Sequence, residues 1–536
     1  MPSALTVKIV TALAYFAVVF YLGYRGWKET TGSDDYMLAG RKMKSFVMAM
    51  SYGATFISTS AIIGFGGASA MFGLDLLWLM VLNIVVGIVI AMLIFGKRTR
   101  RMGLALNAET FPELLGRRYK SRFIQAFAGG TIFTFIPLYA AAVLIGICRM
   151  LEVSMGLDFH FALVGFTLLL AVYVISGGMK AVMYTEAFQG CIMVGMMLVL
   201  LYVVWNMLGG FSEGFQTLSQ MAPLMPEKLQ ALGMNGWTQG AEPGSPMWMV
   251  IWTTLIYGVG LGVLAQPQLV VRFMTVPNDR ELEKGVIYGT LFILLIPGVI
   301  YSVGAFTNAI FYQQFGKISI QMAGGNLDKI IPTFIETIMP HWYSTLFLLA
   351  MLAAAMSTLA SQYHVGGTSL GRDVYEQYAE TSSSASVKVA RYAVTATVFI
   401  TLVWAWVLPG SIIARATAFF FGLCLATFLP AYLLGLFWKG MTRAGAIASM
   451  LGGFACSMFW MLFIHGKSAS GLGLCEALTG NPTLVSTATP NAYPWMLQFI
   501  DPNVMALPAA AIIAITVSKF TAPYERSHID KCWSEV

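Results

Sequence analysis

Long runs of apolar residues, separated by short polar segments, recur along the whole chain. A run of about 17 to 25 such residues is long enough to cross the hydrocarbon core of a bilayer as a helix. The pattern therefore predicts an all-α polytopic membrane protein with about 13 transmembrane helices. The runs place these helices at 8–24, 46–72, 76–96, 124–148, 160–176, 182–208, 248–271, 287–312, 342–370, 392–408, 412–437, 445–465 and 498–518.

Basic residues are distributed unevenly over this predicted topology. Lys8 precedes the first run, and Arg25 and Lys28 follow it, which is the reverse of the charge order in a secretory signal peptide. If the amino terminus lies outside, 25 of the 32 Lys and Arg residues fall in connections on the inner side. Positively charged loops remain in the cytoplasm. We therefore expect a multi-pass protein of the cell (plasma or inner) membrane, with its amino terminus outside and its carboxyl terminus in the cytoplasm.

Composition excludes several classes of protein. Only 11% of the residues are charged and 57% are hydrophobic, whereas about a quarter of the residues in soluble domains are charged. The net charge of +7 is explained by the inner loops, so we expect a lipid bilayer and no nucleic acid as partner. The six cysteines form no CxxC pair. Phosphate-loop, HExxH and GxSxG motifs do not occur, so we expect no enzyme, no cofactor and no obligate protein partner.

The second apolar run, from Ser51 to Gly67, is a poor sequence for an unbroken helix. It contains four hydroxyl residues between positions 55 and 60 and four glycines, which lower helix propensity. A break at mid-membrane frees backbone carbonyls, and these are tolerated there when they line a cavity or coordinate a cation. The alternative is a continuous helix whose small residues pack tightly against a neighbour.

The ninth run carries a second polar feature. Ala354, Ser357 and Thr358 stand at i, i+3 and i+4, so one carbonyl and two hydroxyl oxygens can face a single point. The alternative is that both hydroxyls bond back to carbonyls of their own helix, as Ser and Thr in membrane helices often do.

These segments together resemble the sodium:solute symporter family, which includes carriers of proline, pantothenate, acetate and glucose. The resemblance covers nearly the whole chain, with its motifs in the family's order. The matching motifs are Ala54-x-x-Ile57 with Ala354-x-x-Ser357-Thr358, the Gly177-Gly178 signature within 173–181, the stretch 266–273 ending in Arg272-Phe273, and the late-helix pattern from Leu429-Pro430 to Trp438 followed by Gly445-Ala446.

The resemblance implies a single transmembrane transporter domain over 1–536 with a leucine-transporter-type 5+5 inverted-repeat core. The repeats would span 45–208 and 248–437, with an extra first helix at 8–24, two additional helices within 445–518 and a cytoplasmic tail at 519–536. It also implies that sodium is held by the carbonyls of Ala54, Ile57 and Ala354 and the hydroxyls of Ser357 and Thr358. Neutral oxygens from two helices can replace a hydration shell and still release the ion.

Glu186 falls where the family commonly has an aspartate. A carboxylate in a membrane helix is a candidate functional group, and with Ser361 it forms a candidate second ion site. Ala360 lacks a hydroxyl that relatives with such a site provide. The alternative is that Glu186 lies near the inner mouth and is solvated. We expect Arg272 to anchor the inner interface, where long basic side chains reach water.

A small cavity is expected beside the sodium site, lined by Thr55, Phe56, Ser58, Thr59, Ser60, Tyr139 and Gln266. Ser60 and Ala61 stand where sugar carriers present larger polar groups, and Phe56 stands where proline carriers have Asp. We therefore expect import of a small monocarboxylate, such as acetate, lactate or a pantothenate-like acid, bound by helix N–H groups and hydroxyls.

Several alternatives remain at this stage. The carrier could be a sodium/proline or other amino-acid symporter, or a proton-coupled carrier. A sensor on the same scaffold would need a signalling domain, for which the tail after residue 519 is short. For Phe56, Tyr139 and Gln266 the alternative role is packing or bonding between helices.

Overall fold

The computed structural model describes residues 4–29, 33–176, 179–379, 383–485 and 493–535, and Gly177 and Gly178 lie outside this part. Nearly all of the described chain is helical and it contains no strand, only an isolated bridge between Met234 and Ala241. In the described residues, thirteen apolar helices, two of them broken into halves a and b, correspond to the predicted runs. They are α1 (Ala4–Lys28), α2a (Ser45–Phe56), α2b (60–72), α3 (77–105), α4 (Arg122–Met155), α5 (Phe159–Ser176), α6 (Met179–Met207), α7a (Pro246–Ala265), α7b (Pro267–Phe273), α8 (Asp279–Phe315), α9 (His341–Tyr378), α10 (Ser383–Val407), α11 (Ile413–Phe437), α12 (Arg443–Ile464) and α13 (Asn503–Lys519).

Ten helical stretches in the described residues are long and apolar enough to cross a bilayer. One of them, Ser60–Ala105, contains the second half of the predicted span 46–72 and all of 76–96, and Phe159–Ala171 and Asn503–Lys519 are shorter apolar helices. The predicted number of helices and their order along the chain therefore agree with the structure, while several boundaries move by a few residues.

Gly73 joins α2b to α3 in a reversal of chain direction. It has a positive φ of 80°, a conformation that costs glycine little and other residues more. On α2, Gly53 contacts Phe292 and Gly66 contacts Ile300 of α8, so the two helices run in the same direction. On α3, Met80 contacts Gly298 and Ile88 contacts Gly289, so α3 runs in the opposite direction to α8. The segment 209–247 covers this turn, because Trp237 is buried and donates from Nε1 to the Ala70 carbonyl at 2.8 Å.

Burial separates a central group of helices from a peripheral one. In the most apolar window of each helix, 89% of the residues are buried in α9, 83% in α11 and 78% in α4, compared with 17% in α1 and 22% in α12. Residues exposed on the peripheral helices are apolar, as expected for a surface in contact with lipid rather than water. Functional polar groups are therefore to be sought along α9 and the helices that contact it.

Two of the helices in the described part of the chain are interrupted. α2a and α2b are separated by Ile57 and Ser58, and α7a and α7b by Gln266, which is extended with φ −74° and ψ 115°. Pro267 follows Gln266 directly, and a proline disfavours the helical conformation of the residue before it. The break considered for the second run is therefore present, and the continuous-helix alternative is wrong.

Arginines gather at one end of the bundle, which we call the basic end. It includes Arg98, Arg118, Arg372 and Arg443, of which Arg118 is buried and donates from Nε to the Gly435 carbonyl at 2.9 Å. The chain after α13 packs here instead of extending as a free tail, since the helix Arg526–Cys532 brings the His528 ring to 2.9 Å from the Arg118 carbonyl. α9 runs towards the basic end, so higher residue numbers along α9 lie closer to it.

Candidate functional site

The break between α2a and α2b exposes backbone oxygens in the interior. α2a ends at Phe56, Ile57 adopts an extended conformation with φ −95° and ψ 97°, and the helix resumes in α2b. Residues 51–60 are all buried. The last carbonyls of a helix have no partners within that helix, so those of α2a must be satisfied by a neighbouring element.

α9 supplies those partners from the face that the sequence predicted. The Ser357 hydroxyl donates to the Ala54 carbonyl at 2.8 Å, and the Thr358 hydroxyl lies 3.3 Å from the carbonyl oxygens of both Ala54 and Thr55. Ser357 also lies 3.2 Å from the Ala354 carbonyl of its own helix. Bonding within α9 therefore accounts for only one of these contacts, and the remaining three cross to α2a.

This crossing has the chemistry of a site for a small monovalent cation. Its oxygens are neutral and come from two helices, and each hydroxyl can turn its hydrogen away and offer lone pairs instead. Neutral carbonyl and hydroxyl oxygens suit a hard cation and bind it weakly enough for release. Among the described residues no group of three or more His, Cys, Asp or Glu side chains could hold a metal ion.

One turn closer to the basic end, a charged pair occupies the same region. The Glu186 carboxylate on α6 and the Arg272 guanidinium on α7b are both fully buried, with 2.8 Å between Arg272 Nη2 and each carboxylate oxygen. Hydroxyls from α2a support the pair: Thr55 donates to Glu186 at 2.9 Å, and Ser51 donates to its second oxygen. The Ser361 hydroxyl on α9 accepts from Arg272 at 3.0 Å.

One expectation and one alternative about this pair are wrong. Arg272 does not reach the interface, because its guanidinium points inward and none of its side chain is exposed. Glu186 is not solvated near the inner mouth, since its partners are Arg272 and two hydroxyls. The physical reason is mutual: a buried charge without a counterion is strongly unfavourable, so each group keeps the other inside.

A small cavity lies on the opposite side of the α2 break from this pair. Three of the predicted substrate residues, Phe56, Ser58 and Tyr139, line it. Its other lining residues are Ile57, Ala61, Phe65, Asn83, Val259, Tyr301, Thr417 and Phe421. The Tyr139 ring packs edge-on against Phe421 with 5.3 Å between ring centroids. The cavity is therefore largely aromatic, and its polar groups are neutral.

Four predicted substrate residues lie outside this lining. Thr55 binds Glu186, and Thr59 donates to the Val143 carbonyl at 2.6 Å. The Ser60 hydroxyl is buried without a hydrogen-bond partner among the described residues. Gln266 donates to the Gly262 carbonyl at 3.2 Å and so closes the last turn of α7a. Hydroxyls at neighbouring positions of a helix point in different directions. For this reason only some of the predicted substrate residues face the cavity.

Asn83, Tyr301 and Thr417 were missed by the sequence reasoning. The Asn83 side chain is buried, and its Oδ1 has no hydrogen-bond partner in the described part of the chain. A single amide in the apolar run 76–96 was a usable signal, because polar side chains in membrane helices are costly and usually have a role. Tyr301 and Thr417 carry no comparable signal in the sequence.

A second small cavity lies between the charged pair and the basic end. Its lining includes Pro267 of α7b, Thr110 before the short helix Phe111–Arg118, and His364 and Thr368 of α9. His364 and Thr368 are closer to the basic end than Ser361. The α2 crossing and the charged pair therefore lie between the two cavities.

Comparison with known proteins identifies relatives over most of the chain. Sodium/proline symporters of Staphylococcus aureus, from strains bovine RF122 / ET3-1 and NCTC 8325 / PS 47, are 27% identical over 479 residues, which cover 87% of this chain and 88% of each relative. A solved structure of a Na+-coupled sialic acid symporter in an outward-open state has a TM-score of 0.73 at 20% identity, covering 97% of this chain and 98% of that one.

The structural likeness confirms the predicted leucine-transporter-type fold of an all-α membrane protein. The sequence profile of the sodium:solute symporter family matches residues 36–453, which is more than three quarters of the chain. Its relatives are transporters and not enzymes, and they couple transport to sodium. The chain therefore belongs to the sodium:solute symporter family and is a multi-pass membrane symporter for a small solute.

Proposed function

We propose that the protein imports a small monocarboxylate together with sodium by alternating access. Sodium would bind at the crossing of α2a and α9, to the carbonyls of Ala54, Ile57 and Ala354 and the hydroxyls of Ser357 and Thr358. The observation that carries this assignment is the convergence of Ser357 and Thr358 on the Ala54 carbonyl, at 2.8 and 3.3 Å. The non-helical conformation of Ile57 leaves its carbonyl beside the same break.

The solute would bind in the cavity beside Phe56, Ser58 and Tyr139. Ser58 precedes α2b, and its Oγ accepts from the Ser60 N–H at 3.1 Å. The first N–H groups of a helix carry a partial positive charge. A carboxylate can be bound there without a fixed cation. The aromatic side chains Phe65, Tyr301 and Phe421 suit the short apolar part of a monocarboxylate such as acetate or lactate.

A second candidate solute is proline or another small amino acid. The relatives from Staphylococcus aureus are named sodium/proline symporters, and aromatic faces also attract a cationic amine. The cavity offers such faces in Tyr139 and Phe421. A zwitterion would then place its carboxylate at α2b and its amine against the rings.

The orientation and domain division are part of the same proposal. The basic end would face the cytoplasm, because positively charged segments are retained there, and the amino terminus would lie outside. The inverted repeats would comprise 45–208 and 248–437, with 8–24 and 445–518 outside the core. The breaks in α2 and α7 occupy corresponding positions in these repeats. Alternating access would expose first one cavity and then the other.

Uptake into proteoliposomes tests the proposal. The purified full chain would be reconstituted and given labelled acetate, lactate, pantothenate or proline under an inward sodium gradient. We expect uptake of a monocarboxylate that stops when potassium replaces sodium. Uptake of proline alone would favour the second candidate. Uptake that follows an imposed proton gradient and ignores sodium would contradict sodium coupling.

A further inference from the structure

A buried carboxylate near the proposed sodium site would normally attract a second cation. Glu186 lies in the interior of a membrane-spanning bundle, where an uncompensated charge is strongly unfavourable. A carboxylate has about four positions at which it can accept hydrogen bonds or coordinate a cation. Ser51 and Thr55 use two of them. The neutralising charge must come from a mobile ion or from the protein.

The protein supplies that charge at the place where an ion would need to sit. Arg272 Nη2 lies 2.8 Å from both oxygens of Glu186, 2.6 Å from the Thr55 hydroxyl and 3.0 Å from the Ser361 hydroxyl. These four oxygens come from α2a, α6 and α9. They surround one nitrogen in the way that ligands from several elements surround a bound cation.

The remaining nitrogens of the guanidinium hold it in this position. Nε donates to the Ser51 hydroxyl at 3.0 Å, and Nη1 donates to the Gln268 carbonyl one turn back on α7b. A planar group with donors in fixed directions is well suited to such an arrangement. Each of its three nitrogens therefore has an acceptor, and the side chain fills the space between three helices.

Glu186 and Ser361, the residues that make a second ion site conceivable, are thus both bonded to an arginine. We propose that Arg272 acts as a built-in cation at the second ion position, so that each transport cycle carries one sodium ion. This inference rests on the proposed function, since it concerns the number of ions in that cycle. With a monocarboxylate the cycle would move no net charge, and with a zwitterion it would move one positive charge.

The balance point of opposed gradients measures the number of ions directly. Proteoliposomes would be loaded so that a tenfold inward sodium gradient opposes an outward gradient of the transported solute, at zero membrane potential. With one sodium per solute, net flux vanishes at a tenfold solute gradient. Balance at a hundredfold gradient would mean two ions and would overturn the inference. Sodium coupling would survive that result, whereas uptake independent of sodium would refute the proposed function itself.

A substitution that removes the Arg272 guanidinium from the second ion position provides a second measurement. In Arg272→Gln, Glu186 loses its cation while Ser51, Thr55 and Ser361 remain. We expect the Hill coefficient for sodium to rise from about 1 in the wild type towards 2. In the matched control Glu186→Gln/Arg272→Gln, which removes both charges, it should stay near 1. A coefficient of 1 in Arg272→Gln would contradict the role of Arg272 in excluding an ion, and the wild-type balance point keeps the inference testable if either variant fails to fold.

Discussion

Two positions on α9, about one helical turn or roughly 6 Å apart, face the centre of the bundle and differ in chemistry. Around Ser357 and Thr358 the neighbouring groups are neutral oxygens of α2a. Around Ser361 they are the charges of Glu186 and Arg272. Both positions are buried and both are rich in oxygen. The difference lies in whether a full negative charge is present.

The presence or absence of a full negative charge determines how readily each position releases a bound cation. A neutral set of oxygens can hold a cation while sodium is abundant and release it when the path to the other side opens. A buried carboxylate holds its counterion much more strongly, because separating the two in a medium of low dielectric constant is unfavourable. The first position therefore suits a transported ion, and the second suits a permanent one attached to the chain.

The largest effect should follow from breaking the charged pair. Glu186→Leu leaves Arg272 buried without a counterion, and we expect a loss of stability of about 3–5 kcal/mol. The measurement is the unfolding temperature of the purified protein in detergent. The control Glu186→Leu/Arg272→Met removes both charges and should recover most of the loss. If Glu186→Leu unfolded at the same temperature as the wild type, the charge of Arg272 would not depend on Glu186 for its stabilisation, and the prediction would be wrong.

Asp328 tests whether a buried carboxylate without an arginine in direct contact behaves differently. It lies between α8 and α9, and its Oδ2 accepts from the Ile412 N–H at 3.2 Å, near the start of α11. Burial raises the pKa of Asp328 from its ordinary value of 3.8 to about 6, although backbone N–H groups near the start of α11 oppose the shift. The folded state therefore binds this proton more tightly than the unfolded state does.

The sign of the pH dependence follows from that shift. Because the pKa is higher in the folded state, the contribution of Asp328 to stability is present below about pH 4 and is lost as the pH rises to about 6. A shift of about two units corresponds to roughly 2–3 kcal/mol. Unfolding temperatures of the wild type and Asp328→Asn, compared between pH 4 and 7, should diverge over this interval. If the unfolding temperatures of the two proteins changed with pH in the same way, the raised pKa of Asp328 would be contradicted.

The proposed sodium ligands should show a smaller effect, confined to ion binding. Ser357→Ala and Thr358→Ala each remove one oxygen that contacts the Ala54 carbonyl. We expect the sodium concentration for half-maximal uptake to rise roughly tenfold to a hundredfold, as for loss of one hydrogen bond to a charged group. Thr134→Ala is a matched control, because its hydroxyl bonds only within α4 and faces outward. An unaltered sodium dependence in both ligand variants would refute the assignment.

Asn83 should give the smallest effect, on the solute rather than on sodium. Its buried Oδ1 has no partner in the described structure, and its side chain lines the cavity. Asn83→Leu should raise the KM for the solute up to about tenfold, the equivalent of one neutral hydrogen bond, and leave the sodium dependence unchanged. Asn83→Asp keeps the shape and adds a charge, so it should weaken uptake of a carboxylate further. Equal KM values in all three proteins would exclude contact with the solute.

Much of the fold could be predicted from the sequence because the bilayer imposes strong constraints on each spanning segment. A spanning helix must be apolar over its length and must satisfy its own backbone, so thirteen runs predict thirteen helices. The break in α2 was predictable for a related reason, since Gly and Ser within such a run are poor helix formers. The spacing of Ser357 and Thr358 also indicated a common face, and the structure brings that face to Ala54.

What the sequence could not decide was the direction of each polar side chain and the identity of its partner. Arg272 was expected at the interface and is buried instead, because Glu186 from another helix neutralises it. Thr55 and Ser58 are three residues apart on the chain, yet one binds Glu186 and the other lines the cavity. Local rules act along one helix, whereas charge pairing and cavities depend on contacts between helices distant in the chain. The sequence indicated the spans, the break in α2 and the oxygen-bearing faces, and only the tertiary structure decided which face meets the carbonyls of α2a, which lines a cavity and which meets an arginine.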